Sequence, residues 1–302
     1  MKISIEGLTK IYPNGHRAIH DLSFDIHDGM FGLLGPNGAG KSSLMRILVT
    51  LAEPTSGKVT IGDYDLVKDR EQVRRMIGYL PQDFRFFSSL KTYEFLDYTA
   101  RLSGLHRKRD RSQKVDQMLE EVGLFEARDR YANRLSGGMK RRLGIAQALM
   151  NGPKVVVVDE PTTGLDPEER IRFRNLLSSI STKDVIIILS THIVGDISST
   201  CNSMVLLNQG ELAYVGSPDD IVAQANGKVW RIRASNDEFT AINERFPVVA
   251  TVPTGKDWEV EVVAEDISGY HGEIIAPNLE HAYVYFMEKS LNLWTASDQL
   301  NK

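Results

Sequence analysis

The sequence predicts an α/β protein with a covered parallel sheet, a mostly helical stretch set into it, and a small α+β unit behind. Three observations predict this. Residues 155–158 and 185–189 are too apolar to leave a wet face, as in a parallel sheet covered on both sides. A helical pattern over residues 167–180 separates them, so strand, helix and strand form a right-handed parallel crossover. After Gly216-Ser217-Pro218 the texture changes to alternating strands and short helices.

In chain order, Ile3-Ser4-Ile5 and Leu22-Ser23-Phe24-Asp25-Ile26 alternate with period two, the mark of half-buried strands. Phe31-Gly32-Leu33-Leu34 is a short apolar run ending in a glycine loop. Leu44, Ile47, Leu48 and Leu51 then share one helical face, and Pro54, aided by Thr55-Ser56-Gly57, stops that helix. From about Asp83 to Gly123 the pattern is mostly helical. Within it, His106-Arg107-Lys108-Arg109-Asp110-Arg111 reads as a solvated helix connection in preference to a basic patch. Ser136 caps a helix that reaches Met150 and ends at Asn151-Gly152-Pro153. Asp166 caps the next helix, with Pro167 at its first position and Glu168 and Glu169 in its first turn. In the tail, residues 228–233 and 258–262 alternate as strands, and residues 237–246 and 279–289 look helical.

The totals bound the function. A chain of 302 residues suits one large domain with an appendage, or two domains. A hydrophobic share of 42% and a charged share of 25% allow a sizeable core. The net charge of -4 provides no basic field for nucleic acid. Cys201 is the single cysteine, so no internal disulfide is expected, which fits a reducing compartment. The first residues lack the apolar stretch of a signal peptide, and no apolar run approaches the roughly 20 residues a bilayer crossing needs, so no spanning segment is expected.

Three motifs carry chemistry. Gly35-Pro36-Asn37-Gly38-Ala39-Gly40-Lys41-Ser42 fits the phosphate-binding pattern G-x-x-x-x-G-K-[ST]. Glycines let successive backbone N–H groups point at a phosphate, and the helix that follows adds its N-terminal partial charge. In that pattern Lys41 reaches the β and γ phosphates and the Ser42 hydroxyl ligates Mg²⁺. The apolar strand at 155–158 ends in Asp159-Glu160. An aspartate at the carboxyl end of a parallel strand can hold Mg²⁺, and Glu160 beside it can polarise an attacking water. Leu135-Ser136-Gly137-Gly138-Met139 opens a second helix N-terminus, far in sequence from the first.

Together these elements resemble the ABC ATPase family over roughly residues 1–217, with the motifs in the family's order and spacing. The resemblance implies a P-loop NTPase core of ABC type, with an antiparallel β subdomain and a helical signature subdomain. An ATPase domain would span 1–218, with the helical subdomain at about 83–150, and a small α+β accessory domain would span 219–302. Tyr12 resembles the aromatic residue that stacks on adenine, and the phosphate loop, Gly35, Pro36, Asn37, Gly38, Ala39, Gly40, Lys41, Ser42 and Ser43, would hold ATP. Gln82 in Leu80-Pro81-Gln82 resembles the Q-loop glutamine that contacts Mg²⁺ and the water. Ser136, Gly137 and Gly138 resemble the signature that covers a second copy's ATP. Asp166 in Gly164-Leu165-Asp166 resembles the D-loop, and His192 in Ser190-Thr191-His192 the switch histidine. Catalysis would then rest on Glu160, His192, Lys41 and Gln82, and Mg²⁺ on Ser42, Gln82 and Asp159.

Two departures stand out: Met139 replaces the commonest signature glutamine, and Thr163-Gly164 replaces serine-alanine at the D-loop. Pro277-Asn278-Leu279-Glu280-His281-Ala282-Tyr283 resembles a Pro-x-Leu-Glu segment of multidrug and polyketide-antibiotic exporter subunits. The resemblance implies an ATP-hydrolysing subunit that powers export through a separate integral membrane permease. It would pair head to tail with a second ATP-binding subunit, a homodimer, and lie in the cytoplasm on the inner face of the cell membrane. Non-transport ABC ATPases usually carry long coiled coils or tandem cassettes, and this chain shows neither. A regulatory module that binds nucleotide without hydrolysis would not need Lys41, Asp159, Glu160 and His192 intact. Phe84, Phe86 and Phe87 either dock the permease or fill the helical subdomain's core. The tail either modulates dimer formation or is passive.

Overall fold

The computed structural model describes residues 1–87, 89–182 and 184–300, with side chains described as far as Lys289. The chain opens with β1 (Lys2–Ile11), β2 (Arg17–His27) and β3 (Gly29–Leu34), then enters helix α1 (Lys41–Leu48). β4 (Ser56–Ile61), β5 (Tyr64–Asp65), α2 (Arg70–Met76) and β6 (Ile77–Leu80) follow. The helical stretch comprises α3 (Thr92–Leu102), α4 (Lys108–Glu121) and α5 (Gly137–Leu149). The chain then returns through β7 (Val155–Asp159), α6 (Pro167–Ser181), β8 (Ile186–Thr191), α7 (Val194–Ser198), β9 (Ser203–Asn208) and β10 (Glu211–Gly216). α8 (Pro218–Gln224), β11 (Val229–Ala234), α9 (Asn236–Arg245), β12 (Val248–Thr254), β13 (Asp257–Val263), β14 (Gly272–Ile274) and α10 (Leu279–Leu300) complete it.

These elements form three sheets. The antiparallel sheet runs β2-β1-β4-β5, and the central sheet runs β10-β9-β3-β8-β7-β6. In the central sheet β9, β3, β8, β7 and β6 are parallel, and β10 pairs antiparallel at the edge. As the apolar runs predict, every residue of β7 and β8 is buried. The register sets Leu34 opposite Thr191 and Asp159 opposite Ser190, so β3, β7 and β8 stop at one level. The third sheet runs β12-β13-β11-β14 and shares a core with α9 through Ile232, Ile242, Val260 and Val262. β12 and β14 have no counterpart in the sequence reading.

Helices α8 and α10 lie elsewhere. Ile221 and Ala225 of α8 and its neighbouring turn, and Leu279 and Ala282 of α10, join the buried cluster that also holds Leu34, Val158 and Leu189 of the central sheet. Phe286 of α10 meets Tyr214 of β10 edge to face, with ring centroids 5.5 Å apart. His281, buried, ties the start of α10 to β13 through Nε2 and Glu261 Oε2 at 3.1 Å.

Three local expectations are corrected. The helix expected to carry Leu51 stops at Leu48, and Leu51 is 63% exposed. Thr50 takes φ +60° there, and the Leu51 N–H closes back on Arg46 O, a turn usually given to glycine. Arg70 and Arg74 of α2 hold Thr50 in that shape, Arg70 through its carbonyl at 2.6 Å and Arg74 through its hydroxyl at 2.7 Å. Residues 83–87 and 89–91 are irregular, and helix begins only at Thr92, where Glu94 reaches back to the Lys91 N–H. Arg111 is buried, not solvated: its Nε meets Asp97 at 2.5 Å, and it donates to the Leu105 and His106 carbonyls.

Candidate active site

The loop between β3 and α1 wraps tightly. Gly40 adopts φ +100°, and a Cβ there would stand 2.5 Å from Ala18 O, so no other residue fits without moving β2. The buried Lys41 folds back and donates to Gly35 O at 2.7 Å and Pro36 O at 3.0 Å. Burial pushes its pKa down, while Glu160 and Asp159 oppose that shift.

The acidic pair sits where β7 ends. Ser190 Oγ donates to Asp159 Oδ1 at 2.6 Å and accepts the Glu160 N–H at 3.0 Å, so one hydroxyl from β8 fixes both acids. Burial raises the Asp159 pKa against the Ser190 hydrogen bond, and the Glu160 charge adds to the rise. Glu160 adopts φ +43°, a left-handed conformation sparsely used by residues other than glycine, which turns its carboxylate off the strand and into the cleft. There it gathers four groups. Lys41 Nζ lies 3.8 Å and His192 Nδ1 3.3 Å from Oε1. Gln82 Nε2 donates to Oε2 at 3.3 Å, and Thr163 Oγ1 at 3.4 Å.

A cleft of about 510 Å³ joins these groups to Asn37, Gly38, Gly40, Ser42 and Ser43 of the loop, and to His16 and Ala18. Thus Lys41, Ser42, Gln82, Glu160 and His192 line one cleft, and the buried Asp159 adjoins Glu160 at the end of β7. Tyr12 stands beside this group: its hydroxyl lies 3.1 Å from Ser43 Oγ, and its ring stacks on His16 with centroids 6.4 Å apart. His16, Thr163, Ser190 and Arg141 are functional candidates that sequence reasoning missed. Arg141 of α5 donates to the Gln82 carbonyl at 2.5 Å, tying the second motif's helix to the glutamine segment. A histidine four residues beyond an aromatic carries no signal on its own. Thr163 stood in the D-loop segment, but only as a departure.

Within one chain Ser136, Gly137, Gly138 and Asp166 do not line this cleft. Ser136 Oγ caps α5 by accepting the Met139 N–H at 3.2 Å, and Asp166 Oδ1 caps α6 by accepting the Glu169 N–H at 2.8 Å. Ser136 and Gly137 are exposed, whereas Gly138 is buried against the Glu169 carboxylate with no room for a Cβ. The three phenylalanines part company. Phe84 and Phe86 turn inward and each meets Phe95 edge to face, at 6.1 and 6.5 Å. Phe87 is 56% exposed and pairs with the exposed Tyr98 at 5.6 Å. Among the described residues no helix is long and apolar enough to cross a membrane.

The family described as "ABC transporter" matches residues 19–163. The chain is 38% identical to the uncharacterized ABC transporter ATP-binding protein YxlF of Bacillus subtilis, over 83% of this chain and 82% of that protein. It is 34% identical to methionine import ATP-binding protein MetN 2 of Oceanobacillus iheyensis, over 81% of this chain and 76% of that one. It is 29% identical to linearmycin resistance ATP-binding protein LnrL of Bacillus subtilis, over 92% and 88%. A solved dimeric structure of a bacterial ABC transporter cassette superposes with a TM-score of 0.64 at 26% identity, covering 71% of this chain and 98% of that one.

Proposed function

The chain belongs to the ATP-binding proteins of ABC transporters, which bind and hydrolyse ATP, and from that premise we propose how its own residues do so and what they drive. The observation that carries the reading is the Glu160 carboxylate, held within 3.8 Å of Lys41, Gln82 and His192 in one cleft at the mouth of the phosphate loop. Lys41 swings from the Gly35 and Pro36 carbonyls to the β and γ phosphates of ATP. Glu160 polarises the attacking water, Gln82 orients it, and His192 steadies the γ-phosphate. Tyr12 packs against the base.

The hydroxyl of Ser42, the amide oxygen of Gln82 and the carboxylate of Asp159 are hard oxygen donors of the kind Mg²⁺ prefers. The exposed Ser42 and Gln82 face the cleft and could hold the ion, while Asp159, buried behind the cleft with Oδ1 held by Ser190, would act on it through water. Bound there, Mg²⁺ would neutralise phosphate charge.

Two copies pair head to tail. Ser136, Gly137 and Gly138 lie outside their own cleft and present a helix N-terminus suited to the partner's γ-phosphate, with Asp166 nearby in the shared interface. The solved dimer of a similar cassette supports pairing. The dimer sits in the cytoplasm against an integral membrane permease, with Phe87 and Tyr98 as the exposed apolar contact. For direction our reading is export, and what supports it is the Pro277-Asn278-Leu279-Glu280 segment, set against the similarity to a methionine import protein. In domain terms, residues 1–218 together with α8 and α10 form the ATPase body, and the sheet of β11–β14 with α9 is an accessory unit that modulates pairing. Light scattering of Glu160→Gln with ATP and Mg²⁺ tests the central claim: a trapped dimer with collapsed turnover is expected, and a monomer hydrolysing at the wild-type rate refutes it.

A further inference from the structure

The groups around Glu160 and His192 sit on separate loops, one after β7 and one after β8. Their spacing therefore needs a brace, and Asp196, the third residue of α7, supplies one. It is fully buried, as are Thr162 and Thr191 to within 2%. Thr162, two residues after Glu160, donates its hydroxyl to Asp196 Oδ2 at 2.6 Å. Thr191, immediately before His192, directs its hydroxyl to the same oxygen at 3.4 Å while accepting the Ile193 N–H at 2.9 Å. One carboxylate oxygen thus bridges the two loops.

The other oxygen faces α6. Arg170 Nε and Arg174 Nη1 each stand 3.9 Å from Asp196 Oδ1, and α6 is the helix that Asp166 caps. Among the described residues neither Oδ1 nor Arg170 Nε makes a hydrogen bond, although both are buried. A buried carboxylate keeps its charge only when cations and donors compensate it. Here they come from all three packed segments: the post-β7 loop, the post-β8 loop and α6. The 3.9 Å separations leave room for α6 to close by about 1 Å onto a charge-assisted hydrogen bond.

We propose that Asp196 is a positioning residue for hydrolysis: it sets the spacing between Glu160 and His192 and transmits movement of α6 and the Asp166 segment to both. This rests on the roles assigned above to Glu160 and His192. Asp196 touches neither nucleotide nor water; its effect passes through Thr162 and Thr191. A side chain with this role alters turnover and leaves nucleotide affinity alone, because the phosphate loop is held by other contacts.

The test uses full-length protein and compares Thr162→Val, Thr162→Ser, Asp196→Asn and Glu160→Gln by steady-state ATPase kinetics, equilibrium binding of ATP and melting temperature. Thr162→Val is nearly isosteric and removes one hydroxyl. It is expected to lower kcat about 10-fold with Kd for ATP within about 2-fold, and Thr162→Ser to restore most of the loss. Asp196→Asn combined with Thr162→Val should lose less than the product of the single losses, because both break one bridge. Unchanged kcat in Thr162→Val, while Glu160→Gln stalls, overturns the brace and leaves the catalytic reading intact. Wild-type turnover in Glu160→Gln overturns the catalytic reading itself. A Thr162→Val enzyme whose kcat and ATP affinity fall together with its melting temperature, without rescue by serine, reduces Thr162 and Asp196 to structural support.

Discussion

Two helix N-termini in this chain are marked by glycine, before α1 and in the first turn of α5, and they are built differently. α1 begins at Gly40 with no side-chain cap, so its free N–H groups face a cleft already furnished with Lys41, Glu160, Gln82 and His192. α5 begins at Ser136, whose hydroxyl caps it, and Ser136 and Gly137 lie exposed with no acid or histidine from the catalytic group beside them. In our reading the first is the half-site that holds phosphate. The second, in the same reading, acts only against another copy. A sequence motif at a helix N-terminus therefore says that an anion can be met there, and the surrounding side chains say whose anion it is.

Lys41→Ala cuts deepest into the first site. The buried ammonium is its principal cation, and removal is expected to lower kcat/KM for ATP about 10³-fold, measured by phosphate release. Next comes Ser136→Arg, which sharpens the contrast. Turnover at saturating ATP should fall by about 10–100-fold, as expected when one transition-state contact is lost, while titration of dilute monomer shows an affinity within about 2-fold of wild type. Loss of binding in that monomer would place Ser136 in its own cleft and erase the distinction between the helices.

Phe87→Asp addresses the remaining outward surface. It should leave ATPase activity of the purified chain unchanged and release the chain from membranes that contain its permease, read by sedimentation. Phe86→Asp, by contrast, buries a charge among Phe84 and Phe95 and should lower the melting temperature.

The smallest effect concerns Asp159. Its folded-state pKa lies above the ordinary 3.8 because of burial, so folding pays a penalty for its charge. That penalty is absent below the unfolded pKa and complete once the pH has passed the folded one. Asp159→Asn keeps an acceptor for Ser190 Oγ and removes the charge. Without nucleotide, its melting temperature should exceed that of wild type at pH 7, with the gap closing as the pH falls towards 4. A lower melting temperature at pH 7 would show that pairing with Lys41 outweighs burial.

Most of the first site was legible in the sequence because its residues lie at strand ends, and strand ends follow from apolar runs bounded by glycine or acid. Asp159, Glu160 and His192 have that placement, and Lys41 follows β3 through the glycine loop at the start of α1. What escaped depends on partners distant in the chain. Leu51 leaves its helix because Arg70 and Arg74 capture Thr50. Arg111 sits in a run of charges yet is buried on Asp97. The Thr162–Asp196 bond joins residues 34 apart, and neither residue type announces it. β12 and β14 went unseen for another reason. One is an edge strand containing Pro253, and the other has three exposed residues, so neither shows the alternation of a half-buried strand.

Ala225 and Leu279 belong to one buried cluster, and α8 packs directly on α10, so the chain leaves the ATPase core after α8 and comes back to it. The four-stranded sheet with α9 is therefore an excursion, not a tail. Cutting the chain at Pro218 would strip two helices from the core along with the sheet. Excising residues 228–275 and joining the flanks by a short turn would remove the sheet and spare those helices, with the Glu261–His281 and Glu265–Tyr285 ties to α10 left to be replaced. For a protein engineer the excursion is a socket: a foreign domain whose ends lie close together could be plugged between α8 and α10, and its own folding or ligand binding would then tug on the last helix of an ATPase.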